Sequence, residues 1–286
     1  MIFVREIMSE EAAPTHPSTS RVPVENDSGC RVIAVVNQKG GVGKTTTSVN
    51  LSACLAVADK QTLLVDLDPQ SNATSAFGIS TDDSILYRAL VLGETITTEQ
   101  LQDTEIKRLK VIPSTVDLVG AELELADVPE RTNRLKVALE PHKKDFRFIF
   151  VDCPPSLSLL TLNALRAADE ILIPIQAEYF ALEGLARLIK TVERVRGSIH
   201  PNLEMGGIVL TMYDARTNLS RQVGEDLRTH MKDLVYRVAI PRSIRLAEAP
   251  SHGRPIIAYD ISSSGAQAYL AMASEFLSRA AMRGQT

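Results

Sequence analysis

The sequence predicts an α/β fold, a doubly wound and mostly parallel sheet with helices on both faces. From Arg31 onward, short apolar runs alternate with stretches that show helical spacing. Several runs are continuous in Val, Ile, Leu and Phe, which is typical of parallel strands buried on both faces. A glycine-rich segment follows the first run, and two later runs end in aspartate. Together these features indicate one sheet with its candidate functional residues at one edge.

The apolar runs define the candidate strands. They are Arg31–Asn37, Thr62–Leu67, Lys110–Ile112, Phe146–Val151, Glu170–Ile175, Gly206–Leu210 and Leu234–Ile240. Apolar residues recur at helical spacing between Leu182 and Val195 and again between Tyr269 and Leu277. Strands that alternate with helices through right-handed crossovers form one doubly wound domain. Ligands of such sheets bind beyond the carboxyl ends of the strands, so the candidate site residues should follow the strands.

Composition excludes several classes of protein. Of the 286 residues, 44% are hydrophobic and 23% are charged, which is ordinary for a globular protein and excludes disorder of the whole chain. No apolar run approaches the ~18–20 residues that span a bilayer. The cysteines Cys30, Cys54 and Cys153 form neither a metal-binding pattern nor an even disulfide set. A reducing, cytoplasmic setting is the simplest interpretation.

Charge is unevenly distributed along the chain. The formal net charge is −4, which excludes a globally basic nucleic-acid binder but not a local basic patch. Residues 181–254 carry twelve Lys and Arg against eight Asp and Glu, a surplus of +4, so the remainder sums to −8. An anionic partner would therefore find a favourable field only in the C-terminal third.

Residues 1–30 differ from the rest of the chain. They contain three prolines, a net charge of −3 and no periodic apolar pattern, which predicts a disordered tail. Charged residues interrupt any apolar core of a signal peptide. Met8 is an alternative start. We expect a single folded domain over residues 31–286.

The segment after the first candidate strand has the composition of a phosphate-binding loop. It reads Asn-Gln-Lys-Gly-Gly-Val-Gly-Lys-Thr-Thr from Asn37 to Thr46, between a strand and a helix. Glycines let backbone N–H groups turn toward phosphates, and the helix N-terminus adds its dipole. Lys44 can reach the β- and γ-phosphates, and Thr45 can bind Mg²⁺. The common pattern has Gly where Gln38 stands, and a second lysine, Lys39, follows it.

Two further apolar runs end in carboxylates. Asp66 and Asp68 follow the second strand, and Asp152 follows the strand that begins at Phe146. A buried carboxylate at a strand end is costly unless it meets a cation or hydrogen-bond donors. Bound Mg²⁺, held through water, is the expected partner, with Asp152 as the Walker B residue. Any one of these aspartates alone could equally be a helix cap or a turn residue.

These three motifs resemble the deviant-Walker ATPases of the ParA/MinD superfamily, and within it the chromosomal ParA/Soj partition ATPases. The resembling segments are Lys39–Thr46, Asp66–Gln70, Asp152–Ser156, Ala181–Leu185, Leu210–Asn218 and Ile240–Gly253. The similarity covers roughly residues 31–280. The phosphate loop is common to many families, whereas the later segments are specific to this branch.

The resemblance implies a P-loop NTPase fold and a role for each matching residue. Lys39 would cross to the nucleotide of a partner subunit, and Lys44 and Asp68 would complete the catalytic set, with Asp68 orienting water. Thr45, Asp66 and Asp152 would hold Mg²⁺ or its waters. The predicted nucleotide-binding residues are Lys39, Gly40, Gly41, Val42, Gly43, Lys44, Thr45, Thr46 and, at the adenine, Pro241 and Arg242.

DNA contacts follow from the same resemblance. Arg216 and Arg245 match positions at which this branch binds double-stranded DNA without sequence preference. The alternative is that they pair with local acids such as Asp214 and Glu248 and support only the fold. A cluster of basic residues around Arg187 is more typical of a solvated helix face.

The implied function is chromosome segregation by an ATP- and Mg²⁺-dependent homodimer. The ATP-bound dimer would bind the nucleoid in the cytoplasm, and a ParB/Spo0J-like protein would stimulate hydrolysis and release it. An orphan relative that positions a non-chromosomal cargo would share every motif. A MinD-like membrane positioner would need a basic amphipathic C-terminal helix, which the sequence does not favour, and no membrane contact is expected. Cys153 is isolated, unlike the cysteines of a cluster-binding reductase.

The sequence departs from the family pattern at two places. Ser71 stands where glycine is usual after Asp-Pro-Gln, and residues 1–30 have no family counterpart. The N-terminal helix-turn-helix region of the larger plasmid relatives is missing, so recognition of a specific operator is not expected.

Overall fold

The computed structural model describes residues 29–283, which contain one seven-stranded sheet. The strands are β1 Arg31–Val35, β2 Thr62–Asp66, β3 Gln102–Asp103, β4 Leu109–Ile112, β5 Phe148–Asp152, β6 Glu170–Gln176 and β7 Glu204–Thr211. Their order across the sheet is β3-β4-β2-β5-β1-β6-β7, and every pairing is parallel except β3 with β4. The predicted fold class is thereby confirmed. Most of the predicted tail, residues 1–28, lies outside the described part of the chain.

Helices connect the strands on both faces of the sheet. They are α1 Lys44–Val57, α2 Asn72–Ser75, α3 Ile85–Tyr87, α4 Leu118–Glu124, α5 Arg134–Leu139, α6 Leu159–Ala167, α7 Ala181–Ser198, α8 Asn218–Met231, α9 Ile244–Glu248, α10 Ile256–Tyr259 and α11 Ser264–Arg283. The helices predicted from the spacing at Leu182–Val195 and Tyr269–Leu277 correspond to α7 and α11.

Alternation along each strand divides the core into two layers. On β1, Val32 and Ala34 face the layer that contains α4 to α8, whereas Ile33 and Val35 face the layer that contains α1 and α11. Successive side chains of a strand point to opposite faces, so a strand covered on both sides must be apolar throughout. This explains why the central strands read as continuous apolar runs.

Helix α11 closes the second layer against α1. The Phe276 ring packs edge-on to Phe148 with centroids 5.2 Å apart and lies 5.7 Å from Phe150. Such aromatic contacts add about 0.5–1.5 kcal/mol beyond the burial of apolar area. The hydroxyls of Thr47 and Tyr269 lie 3.2 Å apart and join α1 to α11. Helix α1, which carries the first residues after the phosphate loop, is therefore fixed from both sides.

The prediction of a strand at Leu234–Ile240 is wrong. Its ends touch β7, since the N–H groups of Tyr236 and Ile240 donate to carbonyls of β7 at 2.8 Å. In the middle, the N–H groups of Arg237 and Val238 donate to the carboxylate of Glu275 on α11, at 2.9 and 3.1 Å. The segment is extended and apolar, but a side chain takes the donors that a continuous ladder would need.

Strand β3 was not predicted. It has two residues and pairs antiparallel with β4 at the edge of the sheet. A run that short carries no alternation that a sequence pattern could reveal.

Candidate nucleotide and magnesium site

The loop between β1 and α1 has the backbone of a phosphate cradle. Gly41 and Gly43 have φ values of 74° and 84°, in the left-handed region that favours glycine. Lys39, Gly40 and Gly41 are exposed, Val42 is buried, and Gly43, Thr45 and Thr46 are half-buried. The turn therefore presents its backbone to solvent at the N-terminus of α1, where N–H groups are free to bind anions.

Two hydrogen-bonding side chains tie this loop to the neighbouring strands. The Thr211 hydroxyl at the end of β7 donates to the Val42 carbonyl at 2.8 Å. The Asn37 amide donates to the Pro174 carbonyl of β6 at 2.7 Å, and its oxygen accepts from the N–H of Lys39 at 3.0 Å. The loop is thus anchored at its start and in its middle before any nucleotide binds.

The Lys44 side chain is buried beneath the loop. Its amine donates to the Lys39 carbonyl at 3.3 Å. Burial lowers the pKa of Lys44, and the charges of Asp152 and Asp68 oppose that shift. A buried ammonium that donates to one carbonyl retains two further N–H donors for a phosphate oxygen.

Asp66 and Asp152 face each other across the β2–β5 pair, where they are register partners. Both are fully buried. Burial, followed by the charge of the neighbouring carboxylate, raises the pKa of Asp152 to about 7, against hydrogen bonds from Thr45 and Ser48. Burial also raises the pKa of Asp66 to about 6. Two like charges in one dry position oppose each other's ionisation.

Donors satisfy most of these carboxylate oxygens. Ser48 of α1 donates to Asp152 Oδ1 at 2.8 Å. The N–H and hydroxyl of Thr74 donate to Asp66 Oδ2 at 2.8 and 2.7 Å. Asp152 Oδ2 is buried and has no hydrogen-bond partner. A buried oxygen without a partner is costly, so it indicates a missing ligand.

This arrangement fits Mg²⁺. The cation prefers oxygen ligands, keeps several waters, and takes only one or two carboxylates plus phosphate oxygens. The Thr45 hydroxyl, the orphaned oxygen of Asp152 and the Asp66 carboxylate supply such a set. Within residues 29–283, no group of three or more His, Cys, Asp or Glu side chains is placed to hold a metal ion.

Asp68 lies near the start of the loop that follows β2, two residues after Asp66. It is buried, and its Oδ1 accepts the N–H of Gln70 at 3.0 Å. The Ser114 hydroxyl donates to its backbone carbonyl at 2.6 Å. Ser71, which stands where the family has glycine, has φ 55°, so the left-handed turn explains that glycine preference.

Lys39 extends from the loop into solvent and forms an ion pair with Glu178, which follows β6. The exposed rings of Tyr179 and Phe180 come next and pack edge to face, 5.0 Å apart. Lys39 is therefore not part of the pocket that surrounds Lys44. It lies on an open face beside two exposed aromatic rings.

The segment with Pro241 and Arg242 lies beside the end of β7. The N–H of Tyr213 donates to the Ile240 carbonyl at 2.9 Å, and Tyr213 forms an isolated parallel bridge with Pro241. Arg242 is exposed. Since Thr211 of the same strand holds the phosphate loop, Pro241 and Arg242 are at the same edge of the sheet as Lys44.

Of the two arginines assigned to DNA, Arg216 lies on an exposed turn and Arg245 on the short helix α9, where it is also exposed. The Arg216 side chain is 90% exposed and forms a bidentate pair with Asp214 at 2.9 and 2.8 Å. Hydrogen bonds from Arg216 lower the pKa of Asp214 to about 2. Arg245 on α9 pairs with Glu248 at 3.0 Å. The ion pairs Arg216–Asp214 and Arg245–Glu248, which are expected if these arginines support only the fold, are therefore both present.

Sequence reasoning missed four residues that shape the site: Ser48, Thr74, Glu178 and Thr211. Each is a small or ordinary polar residue with no motif of its own. Thr74 lies eight residues after Asp66, and Thr211 is 169 residues from Val42. Only their positions in the fold bring them to the carboxylates and the loop.

A parallel sheet, a glycine-rich turn over a buried lysine, and aspartates at two neighbouring strand ends define a P-loop nucleotide hydrolase. Residues 30–205 match the model of a family described as an AAA domain. The chain is 51% identical over 251 residues to the chromosome partitioning protein ParA of Myxococcus xanthus, which covers 87% of this chain and 88% of that protein.

A second relative is similar in sequence, and a solved structure is similar in both fold and sequence. The sporulation initiation inhibitor protein Soj of Bacillus subtilis is 52% identical over 247 residues, 86% of this chain and 97% of that protein. The cobyrinic acid a,c-diamide synthase of Mycobacterium smegmatis, solved with an ATP analogue and magnesium, is 36% identical with a TM-score of 0.74, covering 87% and 94% of the chains. The chain belongs to the ParA/Soj family of chromosome-partitioning ATPases.

Among the helices of the described residues, none is both long and apolar enough to cross a membrane.

The raised pKa values predict how stability depends on pH. A carboxyl group whose pKa is raised in the folded protein contributes stability below its unfolded pKa of about 4, and that stability is lost as pH rises through the folded pKa. For Asp66 and Asp152 the loss falls between about pH 4 and pH 7. Asp152→Asn removes one of the two charges, so we expect the nucleotide-free variant to be more stable than wild type at pH 8 and similar at pH 5.

Urea unfolding of the two proteins across this pH range measures the effect. The exposed residue Asp82 provides the matched control, because Asp82→Asn should leave the pH profile of wild type unchanged. A parallel pH profile for Asp152→Asn and wild type would contradict the buried-pair interpretation.

Proposed function

We propose that this protein is an ATP- and Mg²⁺-dependent partitioning ATPase that works as a nucleotide-bound homodimer on DNA. The observation that carries the proposal is the buried Asp66–Asp152 pair, with one oxygen unsatisfied, beside the Lys44 pocket. Similarity to the ParA and Soj proteins over most of the chain supports segregation of chromosomes as the biological task.

The residues divide the chemistry of phosphate transfer among them. Phosphoryl transfer needs charge stabilisation and an oriented water more than a strong base. Lys44 and the N–H groups of residues 40–46 would bind the phosphates, while Thr45, Asp66 and Asp152 would hold Mg²⁺ or its waters. Mg²⁺ neutralises phosphate charge when it is bound. Asp68 orients the attacking water by accepting its hydrogen bond, and Pro241 and Arg242 flank the adenine.

Dimerisation completes the site. Lys39 starts the loop, is exposed, and has the half-buried Glu178 as its charge partner among the described residues. An ion pair whose lysine is open to solvent contributes about 0–1 kcal/mol, so the lysine can be released to a phosphate of a second subunit at little cost. The exposed Tyr179 and Phe180 beside it supply apolar area for the same contact. ATP would then join two subunits, and hydrolysis would separate them.

DNA binding follows from the surface of the C-terminal third. Arg216 and Arg245 are exposed. Their ion pairs with Asp214 and Glu248 are therefore weak, because solvent screens exposed charges. Phosphate oxygens can therefore replace the acids as partners. In a dimer each arginine occurs twice, so binding to the nucleoid becomes dependent on ATP. A ParB/Spo0J-like protein is the proposed stimulator of hydrolysis.

The first prediction concerns Asp68. Asp68→Ala should bind ATP and form the dimer but hydrolyse ATP at least about a hundredfold more slowly, since only the water-orienting group is lost. Phosphate release measures the rate, and Asp82→Ala is the control for removal of an exposed aspartate. Wild-type turnover in Asp68→Ala would refute the role assigned to Asp68.

The second prediction concerns Lys39. Lys39→Ala should still bind nucleotide through Lys44 but should not form the ATP-dependent dimer. Size-exclusion chromatography with light scattering reports the mass, and Lys190→Ala on α7 is the matched change of an exposed lysine. A normal ATP-bound dimer of Lys39→Ala would exclude the proposed exchange of lysines between subunits.

The third prediction concerns DNA. Because each arginine would meet a phosphate in both subunits, Arg216→Ala or Arg245→Ala should lower the slope of log affinity against log salt by roughly two. Affinity should not depend on base sequence, since phosphate contacts carry no sequence information. Fluorescence anisotropy over a salt series measures the slope, with dimer mass as a check.

Arg88 provides the control for the DNA measurement. It also forms exposed ion pairs, with Asp83 and Glu94, but it lies outside the basic C-terminal third. Arg88→Ala should leave the salt slope unchanged. An unchanged slope with a lowered melting temperature in the Arg216 and Arg245 variants would support the structural alternative instead.

A further inference from the structure

Helix α4 is apolar on two opposite faces. Leu118, Ala121 and Leu125 are buried against the sheet. Val116, Val119 and Leu123 are 71%, 58% and 78% exposed. Val116 lies in the turn that leads into α4, where its carbonyl accepts a hydrogen bond from the N–H of Val119 at 3.0 Å. Steps of three and four residues place these three side chains on one face of the turn and helix, which we name the α4 stripe. Single exposed apolar residues are ordinary, whereas a row of three on one helical face indicates a contact surface.

A notch lies within the stripe. Gly120 falls at the same helical spacing, four residues after Val116 and three before Leu123. A Cβ atom at Gly120 would meet only the flexible carboxylate of Glu124, at 3.7 Å. The surface of the stripe is therefore uneven, with three apolar side chains around an open position at Gly120. A side chain of a second helix can enter such a gap.

Acidic residues surround the stripe. Residues 111–130 contain no Lys or Arg and five acids, Asp117, Glu122, Glu124, Asp127 and Glu130. None of the five takes part in an ion pair within residues 29–283. Asp117 accepts a hydrogen bond from Ser84, and Glu124 accepts one from Tyr87 at 2.8 Å.

Arginines of neighbouring segments do not neutralise this charge. Arg88 is paired with Asp83 and Glu94 at 2.6 and 3.0 Å. Arg131 donates to the Ala126 carbonyl at 2.6 Å. The stripe is thus an apolar ridge in a negative field.

We propose that the α4 stripe binds a basic amphipathic helix of a partner protein. The apolar face of that helix would cover Val116, Val119 and Leu123, and its flanking Lys and Arg would meet the five acids. The same acids disfavour DNA, an anionic membrane and the α4 stripe of a second copy. Charge complementarity therefore selects a cationic protein segment.

The stripe is connected to the nucleotide site through Ser114. This residue precedes Val116 by two positions and donates its hydroxyl to the Asp68 carbonyl at 2.6 Å. Its N–H donates to the Thr74 hydroxyl at 3.0 Å, and Thr74 in turn donates to Asp66. A helix seated on the stripe would thus act two residues from the backbone that positions Asp68. This regulatory part rests on the proposed ATPase function.

Binding can be measured without nucleotide. The probe is a fluorescein-labelled synthetic peptide with leucines at positions i, i+3, i+4 and i+7 and lysines and alanines elsewhere. Anisotropy with the full chain should show binding that weakens with salt. The combined change V116S, V119S and L123S should weaken it about tenfold or more, as expected for central apolar contacts. Val57→Ser, an exposed valine of α1, should not.

Further arms keep the test decisive if the triple variant is poorly folded. E122K with D127K changes only charge and should weaken binding and flatten its salt dependence. A peptide of the same composition in scrambled order, and one with glutamate for lysine, should not bind. Equal binding by wild type and these variants, equal binding by the glutamate peptide, or no binding of the lysine peptide to wild type overturns the proposal.

The connection to hydrolysis is measured separately. The lysine peptide should change the ATP turnover of wild type, whereas Ser114→Ala should bind the peptide normally and lose that change. If the chain hydrolyses no ATP, the anisotropy result still decides the surface. If it hydrolyses ATP and binds no peptide, the surface is wrong and the ATPase assignment stands. Peptide binding without a change in wild-type turnover would disprove the link through Ser114.

Discussion

Two buried carboxylates at the carboxyl edge of the sheet are the constraint on which the site depends. Asp66 and Asp152 are register partners on β2 and β5, so the parallel pairing of these strands brings them together. Like charges in a dry position are unfavourable unless donors and cations surround them. Ser48, Thr74 and Thr45 supply donors, Lys44 supplies a nearby cation, and one oxygen of Asp152 is left for a further ligand.

The order of the strands explains why these groups meet. Strand β1 lies between β5 and β6, so the loop that follows β1 emerges beside Asp152 on one side and Pro174 on the other. Strand β7 lies one position further and its Thr211 reaches the same loop. A turn that depends on left-handed glycines is therefore held by two neighbours on the β6–β7 side. Preorganisation of this kind lowers the cost of binding phosphate.

The loops after β2 and β4 meet beside the candidate nucleotide site. Asp66 ends β2, and Asp68 follows it in the first loop. Ser114, in the second loop, binds the Asp68 carbonyl and leads into α4 with its exposed apolar stripe. The acidic surroundings of α4 contrast with the basic surplus of residues 181–254. The molecule thus carries an acidic surface around α4 and, in a separate part of the chain, a basic surplus.

Much of this protein was determined by local sequence. The phosphate loop, the aspartates after two strands and the continuous apolar runs each depend on residues close together in the chain, and such patterns fix backbone conformation and burial directly. The resemblance carried by Lys39–Thr46, Asp66–Gln70 and Asp152–Ser156 likewise gave the family that the comparisons show.

Only the tertiary structure decided which polar groups form hydrogen bonds or ion pairs with each other. The Leu234–Ile240 segment has the composition of a strand, but Glu275, on a helix 37 residues away, takes the donor of Val238. Ser114 binds the backbone of Asp68 across 46 residues, and Glu178 pairs with Lys39. A polar group accepts whichever partner packing brings within about 3 Å, and no spacing in the sequence specifies that partner. Local pattern determined the elements and the loop, whereas packing determined the contacts that hold and connect them.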